Sequence, residues 1–373
     1  MRKDRISRGS AVELALSAGC LLFAATLLFS GFGEKASAAM ARLLARRSPF
    51  TVTETEPQAP TAEQAADMPR AEASRAGFVS ADDPKTVASL QEKAEAYLSS
   101  VKDKQPAGTV TERFYRDDGA TDTVNGIHIK NATGLAPDFA SLLAEGPALP
   151  AARAEGPEVL VFHTHTTEGY LPAFNGRFYS DVRARTEDPE TGVVRVGEAL
   201  CAALEKAGIG CVHDTAVYDR PYDGAYARSR VSAAALLEEY PSLRVVLDVH
   251  RDAIYNGDKE AIKPTALIDG KKTAQVMILT GAEDGGVTDF PGWAQNLRFA
   301  LALQAKAEQR SPGLTRPLFF CPRKYNMDLS PCGLLLEIGT DVNTPEEALR
   351  AGELMGNALA EVMKDAGKQE ATE

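Results

Sequence analysis

Tryptophan occurs once in this chain of 373 residues, and aromatic residues make up only 7% of it. That scarcity argues against an aromatic stacking platform for sugars or bases. Basic residues are outnumbered, 41 Lys and Arg against 52 Asp and Glu, leaving a net charge of −11. A phosphate backbone needs a cationic footprint, so nucleic acid is not the expected partner. Five cysteines are too few for a disulfide-built scaffold, and none form a CxxC pair, which disfavours a thiolate zinc knuckle or a thioredoxin-like site. No G-x-S-x-G elbow appears, so a serine triad has no support. What is present is ordinary globular composition, 44% hydrophobic and 25% charged, with chain enough for one large domain or two.

The N-terminus bears on the compartment. Behind a short tail (1–10), residues 11–33 hold a long apolar run with no charge from Leu14 to Phe32. A helix needs about 20 such residues to cross a bilayer, so the run reads as a transmembrane signal anchor. A cleaved signal peptide is the alternative, with Ala36-Ser37-Ala38 as its cleavage site. Arg2, Lys3, Arg5 and Arg8 before the span are matched by Lys35, Arg42, Arg46 and Arg47 after it, so flanking charge does not orient it. A short tail ahead of a large remainder places the bulk outside the cytoplasm. Residues 34–82, rich in Pro and Ala, read as a flexible linker.

Residues 83–150 are expected to form a small α/β appendage whose chemistry is silent. From 155 to 368 strand and helix patterns alternate. Apolar runs at 158–163, 243–250, 274–281 and 333–339 read as buried strands. Residues 193–208 and 291–309 read as helices, and Thr344-Pro345-Glu346-Glu347 opens a last one with Thr as N-cap and Glu three residues on. The expectation is an α/β domain with a mostly parallel central sheet flanked by helices.

Chemistry collects at the strand ends. Five histidines occur in all, and three of them follow two strands: VLVF runs into His163-Thr164-His165-Thr166-Thr167-Glu168, and VVLDV into His250-Arg251-Asp252. A third strand, GLLL, runs into Glu337. Two imidazoles and a carboxylate converging at one sheet edge form the ligand set of a catalytic zinc, and a further carboxylate serves as general base. Glu337 sits in an apolar strand and needs a partner there, either a water at the metal or a buried arginine. Asp248, two residues before His250, either orients an imidazole or pairs with Arg251. His128 and His213 lie apart and read as structural. Cys201 with Cys211, and Cys321 with Cys332, are two pairs that a disulfide can join outside the cytoplasm.

Five blocks in order, VFHTHTTEGYLP, VVRVGEALCAALEKAGIGCVHD, YDGAYARSR, VVLDVHRDA and YNMDLSPCGLLLEIGTDVNTPEEALRAGELMGNAL, resemble the stage II sporulation protein P family across about 155–365. The resemblance implies a membrane-anchored cell-wall hydrolase with a zinc amidase-like fold. Such an enzyme cuts the amide between N-acetylmuramic acid and the L-alanine of the stem peptide, with stem-peptide crosslinks as a second target. It also implies that His165 and His250 hold Zn2+ and that Glu337 is the catalytic glutamate. The third ligand is Glu168 or, by the wider amidase pattern, Glu190, with Glu168 preferred; His163 is a ligand or donates to one. Arg251 holds a stem-peptide carboxylate or the developing oxyanion, or is structural. The implied setting is septal wall thinning and engulfment in sporulation, in the septal or intermembrane space. The implied partners are peptidoglycan, a wall-lytic transglycosylase and a membrane scaffold protein. Two other readings stand beside this one, an inactive zinc- or wall-binding module and a cytoplasmic α/β hydrolase with an incidental apolar leader.

Overall fold

The computed structural model describes residues 79–180 and 185–370. The expected tail, anchor and most of the linker lie outside the described residues, among which no helix is long and apolar enough to cross a membrane.

The largest layer is an eight-stranded sheet. Its strands in chain order are β2 (Asp122–Val124), β3 (Ile127–Asn131), β4 (Val159–Phe162), β6 (Cys211–His213), β7 (Val245–Asp252), β11 (Val276–Gly281), β12 (Leu318–Cys321) and β13 (Cys332–Thr340). Across the sheet they run β2-β3-β12-β11-β13-β7-β4-β6. A second sheet joins β1 (Gly108–Arg113), β5 (Arg177–Phe178), β9 (Glu260–Ile268) and β10 (Lys271–Ala274) in the order β10-β9-β1-β5, with β8 (Tyr255–Asn256) on β9. The helices are α1 (Pro84–Val101), α2 (Phe139–Ala144), α3 (Val193–Lys206), α4 (Ala225–Glu239), α5 (Trp293–Arg310) and α6 (Pro345–Glu370).

The strands around the candidate site behave as expected. β4, β7 and β13 run parallel, with β4 paired to β7 and β7 to β13. Their alternation divides the core between two faces. Val159 and Val161 of β4 pack with Val245, Leu247 and Val249 of β7 against α3, α5 and α6. Leu160, Phe162 and Val246 pack on the other face with Ala233 and Leu236 of α4. The even-numbered positions of β7 therefore look toward α4 and the odd ones away from it.

The sheets are mixed, which corrects the expectation of a mostly parallel one. Among the described residues, six of the eleven strand pairings are parallel and five antiparallel. Two of the antiparallel pairs are tight hairpins. Asn125-Gly126 joins β2 to β3, and Asp269-Gly270 joins β9 to β10, with all four residues at positive φ. Asn-Gly and Asp-Gly are the pairs that a tight type I′ hairpin turn favours. After the second turn the reversed chain passes directly from β10 into β11, which then enters the large sheet antiparallel to β13. The segment 83–150 is woven into both sheets, β1 pairing with β9 and β3 with β12.

The start of α6 has the expected reciprocal cap. The Glu347 N–H approaches Thr344 Oγ1 at 3.4 Å, and the Thr344 N–H donates to Glu347 Oε2 at 3.2 Å. Glu347 also receives Lys263 Nζ at 2.6 Å, and the same ammonium lies 2.8 Å from Glu112 of β1. Lys263 is wholly buried, so this ion pair ties the second sheet to α6 without solvent screening. Removing one partner of a buried pair strands the other charge. Lys263→Met is therefore expected to lower the unfolding free energy by about 3 kcal/mol, measured by denaturant titration; a loss within the scatter of surface substitutions would show that the pair adds nothing.

Candidate metal centre

All six residues from His163 to Glu168 are buried as the chain leaves β4. A turn closed by the Glu168 N–H to the His165 carbonyl, 3.0 Å, folds the glutamate back over the sheet edge. His250 arrives from the neighbouring strand β7. His165, Glu168 and His250 each present a ligand atom, all within 4.8 Å of one another. The carboxylate lies between the two rings, Oε1 at 3.5 Å from His165 Nδ1 and Oε2 at 3.5 Å from His250 Nδ1. Two imidazole nitrogens and a carboxylate oxygen are a zinc donor set.

The other sequence candidates fall in different places. Glu190 stands in a short 3₁₀ turn, where its Oε2 accepts from Ser89 at 2.6 Å and pairs with Lys93 at 3.4 Å, away from the cluster. His163 is likewise not brought into the donor set, a correction to its place among the expected metal residues. Its Nδ1 lies 2.8 Å from the Val249 carbonyl, which can only accept, so Nδ1 carries the proton. Its Nε2 then accepts from His213 Nε2 at 2.9 Å, and both ring nitrogens are committed. Helix α3 seals this pair. A Cβ on Gly197 would come within 2.7 Å of the His163 ring, so the helix approaches there only because residue 197 has no side chain. His213 lies outside the donor set, on His163, and so does His128, which bonds Thr123 Oγ1 on the β2–β3 hairpin.

Glu337 stands directly beside His250 on the adjacent parallel strand β13. Its Oε2 is buried with no hydrogen-bond partner among the described residues. Arg251 turns toward Glu168: its N–H donates to Oε2 at 3.1 Å, Nε to the Gly169 carbonyl at 3.2 Å, and Nη1 lies 3.6 Å from Oε1. This guanidinium braces the Glu168 carboxylate. Residues that the sequence reading left out close the cleft. Tyr222 stacks on His165 with ring centroids 4.7 Å apart, and Tyr226 lies parallel to His250 at 6.3 Å and to Tyr325 at 4.9 Å.

Burial and charge set the proton affinities in opposite directions. Burial would raise Glu168, but Arg251, His165 and His250 outweigh it and hold this carboxyl well below its usual range. Burial would lower His250, but Asp248 and Glu168 overcome it and raise the imidazole well above its usual value. Glu337 goes the other way from Glu168: burial, reinforced by Asp252, pushes it up despite His250. A carboxyl with raised affinity next to one held ionised is the arrangement by which a site separates a proton carrier from a ligand.

The sequence profile of stage II sporulation protein P matches residues 43–362. The chain belongs to the stage II sporulation protein P family. Stage II sporulation protein P of Bacillus subtilis (strain 168) is 30% identical over 222 residues, 56% of this chain and 52% of that relative, so the match spans about half the length of the curated relative. Among solved structures, N-acetylmuramoyl-L-alanine amidase AmiC2 of Nostoc punctiforme is 15% identical, with a TM-score of 0.34 over 58% of this chain and 99% of that one. The apo form of the N-acetylmuramyl-L-alanine amidase Ami1 from Mycobacterium abscessus is 13% identical, with a TM-score of 0.33 over 56% and 100%.

In this stage II sporulation protein P family member, the buried His163–His213 pair makes folding sensitive to acid. Burial lowers His163 to about 4, and burial with the neighbouring His163 lowers His213 as well. Both rings are neutral in the fold and become charged on unfolding below an ordinary histidine value of about 6.5. Stability is therefore lost as the pH falls from about 6.5 toward 4, by up to about 1.4 kcal/mol per pH unit for each ring. His213→Gln is expected to make that acid limb shallower by up to one proton in denaturation of chelator-treated protein, and an unchanged slope would clear the pair of this role.

Proposed function

We propose that this stage II sporulation protein P family member is a zinc-dependent peptidoglycan hydrolase that cuts the amide between N-acetylmuramic acid and L-alanine, in septal wall thinning during sporulation. The observation that carries the reading is the buried His165–Glu168–His250 donor set with the unpartnered Glu337 oxygen one strand away. Membership of the family supports the sporulation setting. The donor set fits zinc in number and kind, and bound zinc would polarise an amide carbonyl and lower the pKa of a water.

The chain's own residues do the rest. Glu337 Oε2 takes the proton of the attacking water and delivers it to the leaving nitrogen, which departs as the stem-peptide amine. Its raised affinity suits this shuttle, because a carboxylate of ordinary affinity would release the proton to bulk water too readily. Arg251 keeps Glu168 ionised and in place, which favours a bracing role over contact with a substrate carboxylate. Tyr222 and Tyr226 keep solvent from one side of the imidazoles.

The Cys201–Cys211 disulfide, between α3 and β6, supports an extracytoplasmic site of action, since such bonds persist in oxidising compartments. Cys321 and Cys332 do not join each other and are free and buried. In this reading residues 11–33 hold the protein in the membrane, and the linker lets the hydrolase reach septal wall beside a transglycosylase and a scaffold protein.

The test is zinc content and cleavage of isolated peptidoglycan by the full chain and two variants. Stoichiometric zinc is expected in the wild type, its loss in His250→Ala, and its retention in Glu337→Gln with activity down by about 100- to 10,000-fold. Undiminished wall cleavage by both variants, without bound zinc, would overturn the proposal.

A further inference from the structure

Asp248 is only 1% exposed, and a carboxyl group so buried needs hydrogen-bond donors around it. Two bonds from Thr164 meet it, the N–H donating to Oδ1 at 2.9 Å and the hydroxyl to Oδ2 at 2.7 Å. His250 adds an ion-pair contact, its Nε2 lying 2.8 Å from Oδ1. Pairing with Arg251, the other role open to Asp248 from sequence, is not what the fold makes. Positions 248 and 250 share the face of β7 turned to α4, while 251 points to the opposite one and reaches Gly169 and Glu168.

We infer that Asp248 is a positioning residue of the metal centre: it holds the Nε2 edge of His250 and so presents Nδ1 to the ion. The inference rests on the zinc reading above. Both oxygens of Asp248 already accept from Thr164, so Oδ1 faces His250 as an acceptor, Nε2 bears the hydrogen there and Nδ1 is left for the ion. That Nδ1 is the atom lying 3.5 Å from Glu168, inside the donor set. Asp248 is itself fixed by the segment that brings His165 and Glu168, because Thr164 belongs to it. The Thr164 hydroxyl meets Ser229 Oγ of α4 at 2.7 Å, and Asn326 Nδ2 donates to that serine at 3.2 Å. Four segments of chain thus converge on the orientation of one imidazole, and a carboxylate behind a ligating histidine strengthens it as a ligand.

The experiment measures zinc affinity by chelator competition in the full chain and in Asp248→Asn, together with the stability of each metal-free protein. Asparagine keeps the shape and one acceptor and removes the charge. Zinc affinity is expected to fall by about 10- to 100-fold. A residue that only packed Thr164 would lower metal-free stability and leave zinc affinity alone, and that result would overturn the inference. If the wild type binds no zinc, the metal reading fails as well, whereas wild-type and variant proteins that bind equally sink only the role of Asp248. Should Asp248→Asn fail to fold, wild-type protein loaded with cadmium-113 and labelled with nitrogen-15 decides by magnetic resonance. Metal coupling to His250 Nδ1 with Nε2 still protonated is expected, and coupling to Nε2 would overturn the assignment.

Discussion

The carboxylate of Glu168 is taken out of water at the end of β4, and the rest of the site answers that one desolvation. A buried charge survives only where opposite charge and donors meet it, and here the guanidinium of Arg251 and the imidazoles of His165 and His250 do so. Of these only His165 comes with the segment that leaves β4. Arg251 and His250 require β7 alongside, and Glu337 requires β13 beside that. The parallel trio β4, β7 and β13 is therefore the smallest piece of sheet that can hold the cluster, with all three strands delivering their carboxyl ends to the same edge.

Within that frame, identical side chains are driven to opposite states by what faces them. His163 and His250 both close strand ends and both are buried. His163 meets a carbonyl, a second imidazole and a helix that approaches at a glycine, so the neutral ring is favoured. His250 meets two carboxylates, so the charged or metal-held ring is favoured. Glu168 and Glu337 divide in the same manner, one held ionised by a guanidinium and the other deprived of a partner. A site that must both grip an ion and move a proton needs that contrast, and burial alone would not create it.

Much of this was legible in the chain. The apolar runs VLVF, VVLDV and GLLL, each ending in a residue able to bind a metal or move a proton, pointed to three strand ends on one edge, and the capping pattern at Thr344 was recovered down to its reciprocal bonds. Part of the mixed character of the sheets was written in Asn125-Gly126 and Asp269-Gly270, two hairpin pairs outweighed by the strand and helix alternation around them. Tyr222 and Tyr226 were not legible as site residues, since no periodicity says which loop folds over which strand end.

The sequence by itself determined the kinds of group available: few histidines, gathered at strand ends, with acidic residues at short spacing from them. Only the tertiary structure decided which of them meet. In HTHTTE the two histidines are a residue apart and chemically alike, yet one turns into the sheet to His213 and the other out to Glu168. In DVHRD the alternation of a strand sends Asp248 to the back of His250 and Arg251 to Glu168. Spacing along a chain fixes side-chain chemistry and face, whereas proton affinity and ligand geometry depend on charges a few ångströms away in space, and those belong to strands far apart in sequence.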